Sequence, residues 1–238
     1  MITSCSFVAL SRDGRFIANA AGRVVRVANV SDGTVIAEIT LQGAARALAF
    51  APDSATVGIG DDSGVVTIAP FAPARARVAA AFDSPVTALA FAPDGTRLAV
   101  GDEAGVVRLI AAGDGTQVTA TAGWPQPVRW LDFSPDGTVL FASTDAWLHT
   151  LSVADTVLEP LSTKLVQLPD VPRTAVASSA SVARVVGLDA NGALGILDLD
   201  VASTVVGGGS YSPLVVKDWP TALALRLDDN GDPVPFDP

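Results

Sequence analysis

Few residues of this chain are equipped for nucleophilic or acid–base chemistry. It carries one histidine, His149, and one cysteine, Cys5. A Ser/His/Asp or Cys/His arrangement needs a base within hydrogen-bond reach of its nucleophile, so His149 would have to serve in every such arrangement. It stands between Leu148 and Thr150 in a segment that reads as a strand. A strand side chain facing a sheet interface or solvent is the plainer assignment, and no catalytic residue is assigned. The other chemistry within reach is oxygen ligation of a cation. Asp228, Asn230 and Asp232 alternate as the first ligands of a calcium loop do. Pro233 stiffens that loop, and no bidentate Glu follows at the required distance. The segment reads as a turn, and neither a metal nor another cofactor is expected.

Carboxylates nevertheless recur with a period. Asp13, Asp53, Asp94 and Asp136 are separated by 40, 41 and 42 residues, and three of them precede glycine. An aspartate there accepts backbone N–H bonds in a tight turn, so repetition of the turn explains repetition of the acid. A second set, Asp61, Asp62, Asp102, Glu103, Asp145 and Asp189, falls in the next turn of each period. These read as an acidic rim open to a basic partner. Among the 4 tryptophans, Trp130 and Trp147 lie in apolar strand segments. Trp124 lies in Gly123-Trp124-Pro125-Gln126-Pro127, where proline stiffening makes it an anchor for a contact at low entropic cost. Trp219 begins the last unit and is expected to be exposed unless covered.

These residues must be positioned by a repeated element. Val8-Ala9-Leu10-Ser11-Arg12-Asp13-Gly14 aligns with Leu48 to Ser54, Leu89 to Gly95 and Leu131 to Gly137. The period is that of four short strands per unit. In the third unit Val86 to Phe91, Thr96 to Val100, Val106 to Ile110 and Gln117 to Thr119 read as strands, and Gly113-Asp114-Gly115 makes the last hairpin. Asp-Gly between apolar runs is a strong hairpin signal, because glycine takes positive φ without a Cβ clash. A fifth, weaker copy comprises Thr174 to Ser178, Val182 to Leu188, a turn at Asp189-Ala190-Asn191-Gly192, and Leu194 to Leu199. A sixth begins at Trp219, and its tail, with Pro233, Pro235 and Pro238, does not suit a second strand. Longer connections lie at 158–173 and 206–213.

The Phe-x-Pro-Asp-Gly anchors at Phe91 to Gly95 and Phe133 to Gly137 carry a family resemblance. So does the Gly-x-x-x-Gly-Val-Val segment at Gly101 to Val107, echoed from Gly60 to Val66. Together they make the chain similar to WD-repeat propellers. It lacks the Gly-His and Trp-Asp pairs of many members, so their His/Asp/Trp side-chain network is not expected. The resemblance implies an all-β fold, a β-propeller of four-stranded antiparallel blades with five recognisable blades and an incomplete sixth. As one domain over 1–238, the blades fall near 5–43, 44–83, 84–124, 125–170 and 171–206, with a partial unit at 207–238. The turns carrying Asp61, Asp62, Asp102 and Glu103 then join the loop of Trp124 on one face, the face most used for binding in propellers.

Bulk properties narrow the function. Apolar residues make up 49% and charged residues 17%, which excludes disorder. No apolar run approaches the roughly 18 residues of a membrane helix. The net charge is −10, and the basic residues, 15 in all, are dispersed, so nucleic acid is not expected as a partner. A lone cysteine and an N-terminus without an apolar signal segment agree with a cytoplasmic setting. The expected function is a protein-interaction scaffold or adaptor, not an enzyme. Its partners would be other proteins, with a basic surface or donating strands to the incomplete blade. The alternatives are a regulatory, ligand-binding propeller of a larger signalling protein and, last, a hydrolase or lyase with a channel site.

Overall fold

A computed structural model of the chain describes residues 7–71, 76–145, 147–154 and 157–160, the side chains of 147 and 148 excepted. It describes 166–167, 177–179, 182–188 and 194–198 as strands. The chain divides into two compact units at Leu165/Val166.

The first unit holds four four-stranded antiparallel sheets, each a meander in which consecutive strands pair. The first contains β1 (Phe7–Leu10), β2 (Phe16–Ala21), β3 (Val24–Asn29) and β4 (Val35–Thr40). The second contains β5 (Ala45–Phe50), β6 (Thr56–Asp61), β7 (Val65–Pro70) and β8 (Arg77–Ala81). The third contains β9 (Val86–Phe91), β10 (Arg97–Asp102), β11 (Val107–Ala111) and β12 (Gln117–Ala120). The fourth contains β13 (Trp130–Phe133), β14 (Val139–Ser143), β15 (Trp147–Val153) and β16 (Leu158–Pro160). The second unit holds β17 (Val166–Gln167) and a three-stranded sheet of β18 (Ala177–Ser179), β19 (Val182–Leu188) and β20 (Leu194–Asp198). No helix occurs among the described residues. The blades are those of a β-propeller, as the period required. The sixth unit, the calcium-like segment at 228–232 and Trp219 lie outside the described residues.

The first turn of each blade explains the recurring aspartates. Asp13, Asp53, Asp94 and Asp136 each accept an N–H bond from the residue two positions on, Arg15, Ala55, Thr96 and Thr138. Bonds of this kind favour the charged carboxylate. The Arg15 N–H, aided by the Ser11 hydroxyl, holds the Asp13 carboxyl down at about 2. The Thr96 N–H lowers Asp94 in the same way, and the Ser134 hydroxyl leads for Asp136. Gly14, Gly95 and Gly137 follow with φ near +70°; in the second blade Ser54 takes that conformation instead.

Blades pack face to face, and the first strand of one blade lies against that of the next, β1 by β5, β5 by β9, and β9 by β13. Three apolar clusters fill the junctions. Val25, Val27, Val57 and Ile59 meet between the first two blades. Val66, Leu89, Leu98 and Ile110 meet between the second and third, and Leu109, Leu131, Phe133 and Leu140 between the third and fourth. Small residues in the second strand let the neighbour approach. A Cβ on Gly58 would come 3.1 Å from the Phe91 ring, and one on Gly60 or Gly101 would collide with Val86 or Val128. Ala18 and Ala20 take these places in the first blade, both fully buried.

Candidate functional site

The turns between second and third strands bring the sequence-nominated carboxylates to one end of the blades. They do not present them alike. Asp61 is buried: its Oδ1 accepts from the Ser63 N–H, the Ser63 hydroxyl and the Val65 N–H, and its Oδ2 from the Gly43 N–H. Asp102 has no exposure at all. Its Oδ1 accepts from the Val106 N–H at 2.9 Å, and its Oδ2 pairs with the Arg108 guanidinium. These two side chains hold the turns from within. Asp62 and Glu103 are exposed. Asp62 accepts from the Ala44 N–H, and the Glu103 N–H donates to the Pro85 carbonyl, tying each turn to the connection that enters its own blade. Asp145 is half-exposed and bound by both Arg129 Nε and Nη2, at 2.8 and 3.0 Å, which raises the Arg129 pKa. Asp189 lies outside the described residues.

Trp124 sits in the connection between the third and fourth blades, residues 121–129. Four backbone bonds fasten this segment: the Thr121 N–H to the Val107 carbonyl, the Trp124 N–H to the Gly105 carbonyl, the Val128 N–H to the Asp102 carbonyl, and the Arg129 N–H to the Ser143 carbonyl. Gly105 is required, since it holds φ +79° and a Cβ would collide with the carbonyl of Trp124. The indole is partly buried against the third junction and stacks on the His149 imidazole, with centroids 3.7 Å apart and planes within 14°. Such a pair contributes about 0.5–1.5 kcal/mol beyond its buried area. Beside it the Thr144 hydroxyl donates to Gln126 Oε1 at 3.0 Å.

The sequence reading missed that this contact repeats. In the preceding blade Phe82 holds the place of Trp124, with its N–H on the Gly64 carbonyl and the Arg108 guanidinium 4.6 Å from its ring centroid. Phe82 stands as far before Asp94 as Trp124 does before Asp136, a spacing that was legible. Arg108 and His149 share a register as well, opposite Val100 in β10 and Ala142 in β14. The third blade therefore carries ring, cation and carboxylate as Phe82, Arg108 and Asp102. The fourth carries Trp124 and His149, with Thr144 where the carboxylate stands. His149 is 8% exposed, and its Nε2 has no hydrogen-bond partner. Burial pushes its pKa down to about 4, so the imidazole is neutral near pH 7. An unpartnered polar atom of this kind costs about 1–3 kcal/mol.

Among the described residues, no three His, Cys, Asp or Glu side chains converge as metal ligands, and no helix is long and apolar enough to cross a membrane. Trp130 lies in β13 opposite Ser143. Trp147 begins β15, and its side chain lies outside the described residues.

Comparison with known proteins agrees with this geometry. Residues 75–111, which span the end of the second blade and most of the third, match the family model described as WD domain, G-beta repeat. No curated protein matches the chain. Among solved structures 1641 chains match. One is the crystal structure of the Myceliophteria thermophila Cps50 (Swd1) beta-propeller domain, at 15% identity and a TM-score of 0.67, covering 82% of this chain and 70% of that one. At that identity the likeness speaks to fold. The chain has the fold of a β-propeller, and within it residues 75–111 are similar to a WD repeat.

Proposed function

We propose that the chain is a non-catalytic protein-interaction scaffold whose contact surface is the loop face centred on Trp124. The observation that supports this most is the indole itself, half-buried on His149 and fixed at its backbone to Gly105, beside exposed Pro125. A rigid aromatic in a polar rim loses little entropy on binding, which is how interface anchors behave. Asp62 and Glu103 give that rim an acidic character suited to a partner with a basic surface. Asp61 and Asp102 contribute by holding the turns in place. Trp219 is a further proposed contact. A cytoplasmic setting goes with this reading, in line with the single cysteine.

The first blade offers a second surface in the same reading. Val8 and Leu10 of β1 are 62% and 59% exposed, on the face that the second, third and fourth blades each set against their predecessor. Strands from a partner chain would cover it and give main-chain bonds with side-chain selectivity.

Affinity capture with the intact chain, followed by association kinetics of the recovered partner, tests the proposal. Trp124→Ala should weaken binding by about thirtyfold or more, the scale of an interface hot spot. Asp62→Lys with Glu103→Lys should slow association and flatten its salt dependence. Unchanged kinetics in both variants would refute this contact surface.

A further inference from the structure

We propose that His149 and Thr144, beside the Trp124 connection, form a binding site for a carboxylate group. This goes beyond the scaffold reading, because it concerns a defined ligand chemistry at one blade junction and holds whether or not Trp124 anchors a protein.

The third blade shows what the repeat puts here. Arg108 lies against Phe82 and pairs with the buried Asp102 carboxylate. In the fourth blade the ring and the nitrogen base remain, as Trp124 and His149, and the internal carboxylate is replaced by Thr144. Histidine is also shorter than arginine, and threonine one branch shorter in reach than aspartate. The carboxylate's place is thus left between a hydroxyl and an imidazole nitrogen. Two independent features mark that place as polar. His149 Nε2 is buried without a partner, although more than nine-tenths of the residue is covered. Thr144 stands at the repeat position of Asp102, and its hydroxyl donates to Gln126 Oε1 on the Trp124 connection.

The neighbouring acid does not fill the place. Asp145 is turned to Arg129 and held there by two hydrogen bonds. A bound carboxylate would accept from the His149 Nε2–H and from the Thr144 hydroxyl, released from Gln126. Nε2 is covered, so the side chains around it must shift to admit the ligand. A charge-assisted bond to the imidazole is the stronger of the two contacts exchanged. The carboxylate can belong to an acidic side chain of a partner protein or to a small free acid, and both meet the same atoms.

The single histidine makes the test direct, because the imidazole resonances can only be those of His149. Sodium acetate is titrated against sodium chloride at equal ionic strength, and separately a blocked glutamate amide, while the His149 ring protons are followed. A saturable shift with acetate alone indicates a site for free acids. Saturation with the glutamate amide as well indicates one that also admits a side chain. Asp145→Asn should leave the response intact. Thr144→Asp should supply the carboxylate internally, move the His149 titration midpoint up from about 4 by one pH unit or more, and abolish the response to both probes. No saturable shift with either probe, or an unmoved midpoint in folded Thr144→Asp protein, would overturn the proposal.

Discussion

The first and third blades are built from one repeat, yet equivalent residues meet opposite environments. Val8 and Leu89 both stand five residues before the turn aspartate; one is 62% exposed and the other 8%. Arg26 and Arg108 both face the second strand at the same level, opposite Asn19 and Val100. Arg26 pairs with Glu38 at 2.7 Å with both side chains about half-exposed, whereas Arg108 pairs with an Asp102 that no solvent reaches. The strands, turns and register are shared. At the apolar positions what differs is the blade on the other side; at the arginines the sequence differs too, since the first blade has Ala21 where the third has Asp102. A repeat position in this fold is a core position only when its neighbour is present.

That comparison can be broken by mutation. The largest effect is expected at the ion pairs. Asp102→Ala leaves a mostly buried guanidinium without its carboxylate and should cost about 3–5 kcal/mol, while Glu38→Ala in the first blade should cost within about 1 kcal/mol. Denaturant titration of the two variants measures both, and equal losses would dissolve the distinction. Next come the paired apolar positions. Leu89→Ala should lose about 2–5 kcal/mol to the cavity at the second junction, and Val8→Ala about 0.5 kcal/mol or less. A large loss at Val8 would show that something covers the first blade's outer face in solution. Then come the close approaches between blades. Gly101→Ala drives a methyl into Val128 and should cost about 1–3 kcal/mol. Gly22→Ala in the first blade meets no atom within 4 Å and should cost only the positive φ, about 1 kcal/mol.

A pH-dependent effect separates the third blade from the fourth. His149 in the fourth blade is held neutral, its pKa lowered from 6.5 to about 4 by burial. Between those values the unfolded chain binds a proton that the folded chain refuses. Stability is therefore full above about pH 6.5 and falls as pH drops toward 4, by at most about 1.4 kcal/mol per pH unit. His149→Gln should flatten the profile in that window, and an unchanged profile would remove His149 as its cause. The lowered pKa values of Asp13, Asp94 and Asp136 act in the same direction at lower pH, since their bonds to backbone N–H groups are lost on protonation.

The repeat was legible because turn chemistry is local. An Asp-Gly turn in which the aspartate accepts from the N–H two residues on is written into consecutive positions, and so are the alternating strands on either side. The inward turn of Asp61 and Asp102 was not legible. Both were read as rim acids beside Asp62 and Glu103, and all four residues look alike in sequence. What separates them is the strand's alternation and, for Asp61, the Gly43 N–H that only the fold brings near. The Trp124–His149 stack was hidden for the same reason. It joins the connection leaving one blade to the third strand of the next, across a separation that no local pattern reports. Phe82 and Arg108 repeat it with different residue types, so identity-based alignment passes over it.

The measurement that tests the central claim most directly compares the two ends of the blades. A photo-reactive residue is placed at exposed Pro125, beside Trp124, and in a second protein at exposed Arg12, in the first turn at the opposite end. Both are irradiated in the cell of origin. The account predicts a discrete protein adduct from position 125 that disappears when Trp124→Ala is added, and none of comparable yield from position 12. Equal adducts from both ends, or an adduct at 125 indifferent to Trp124, would contradict it.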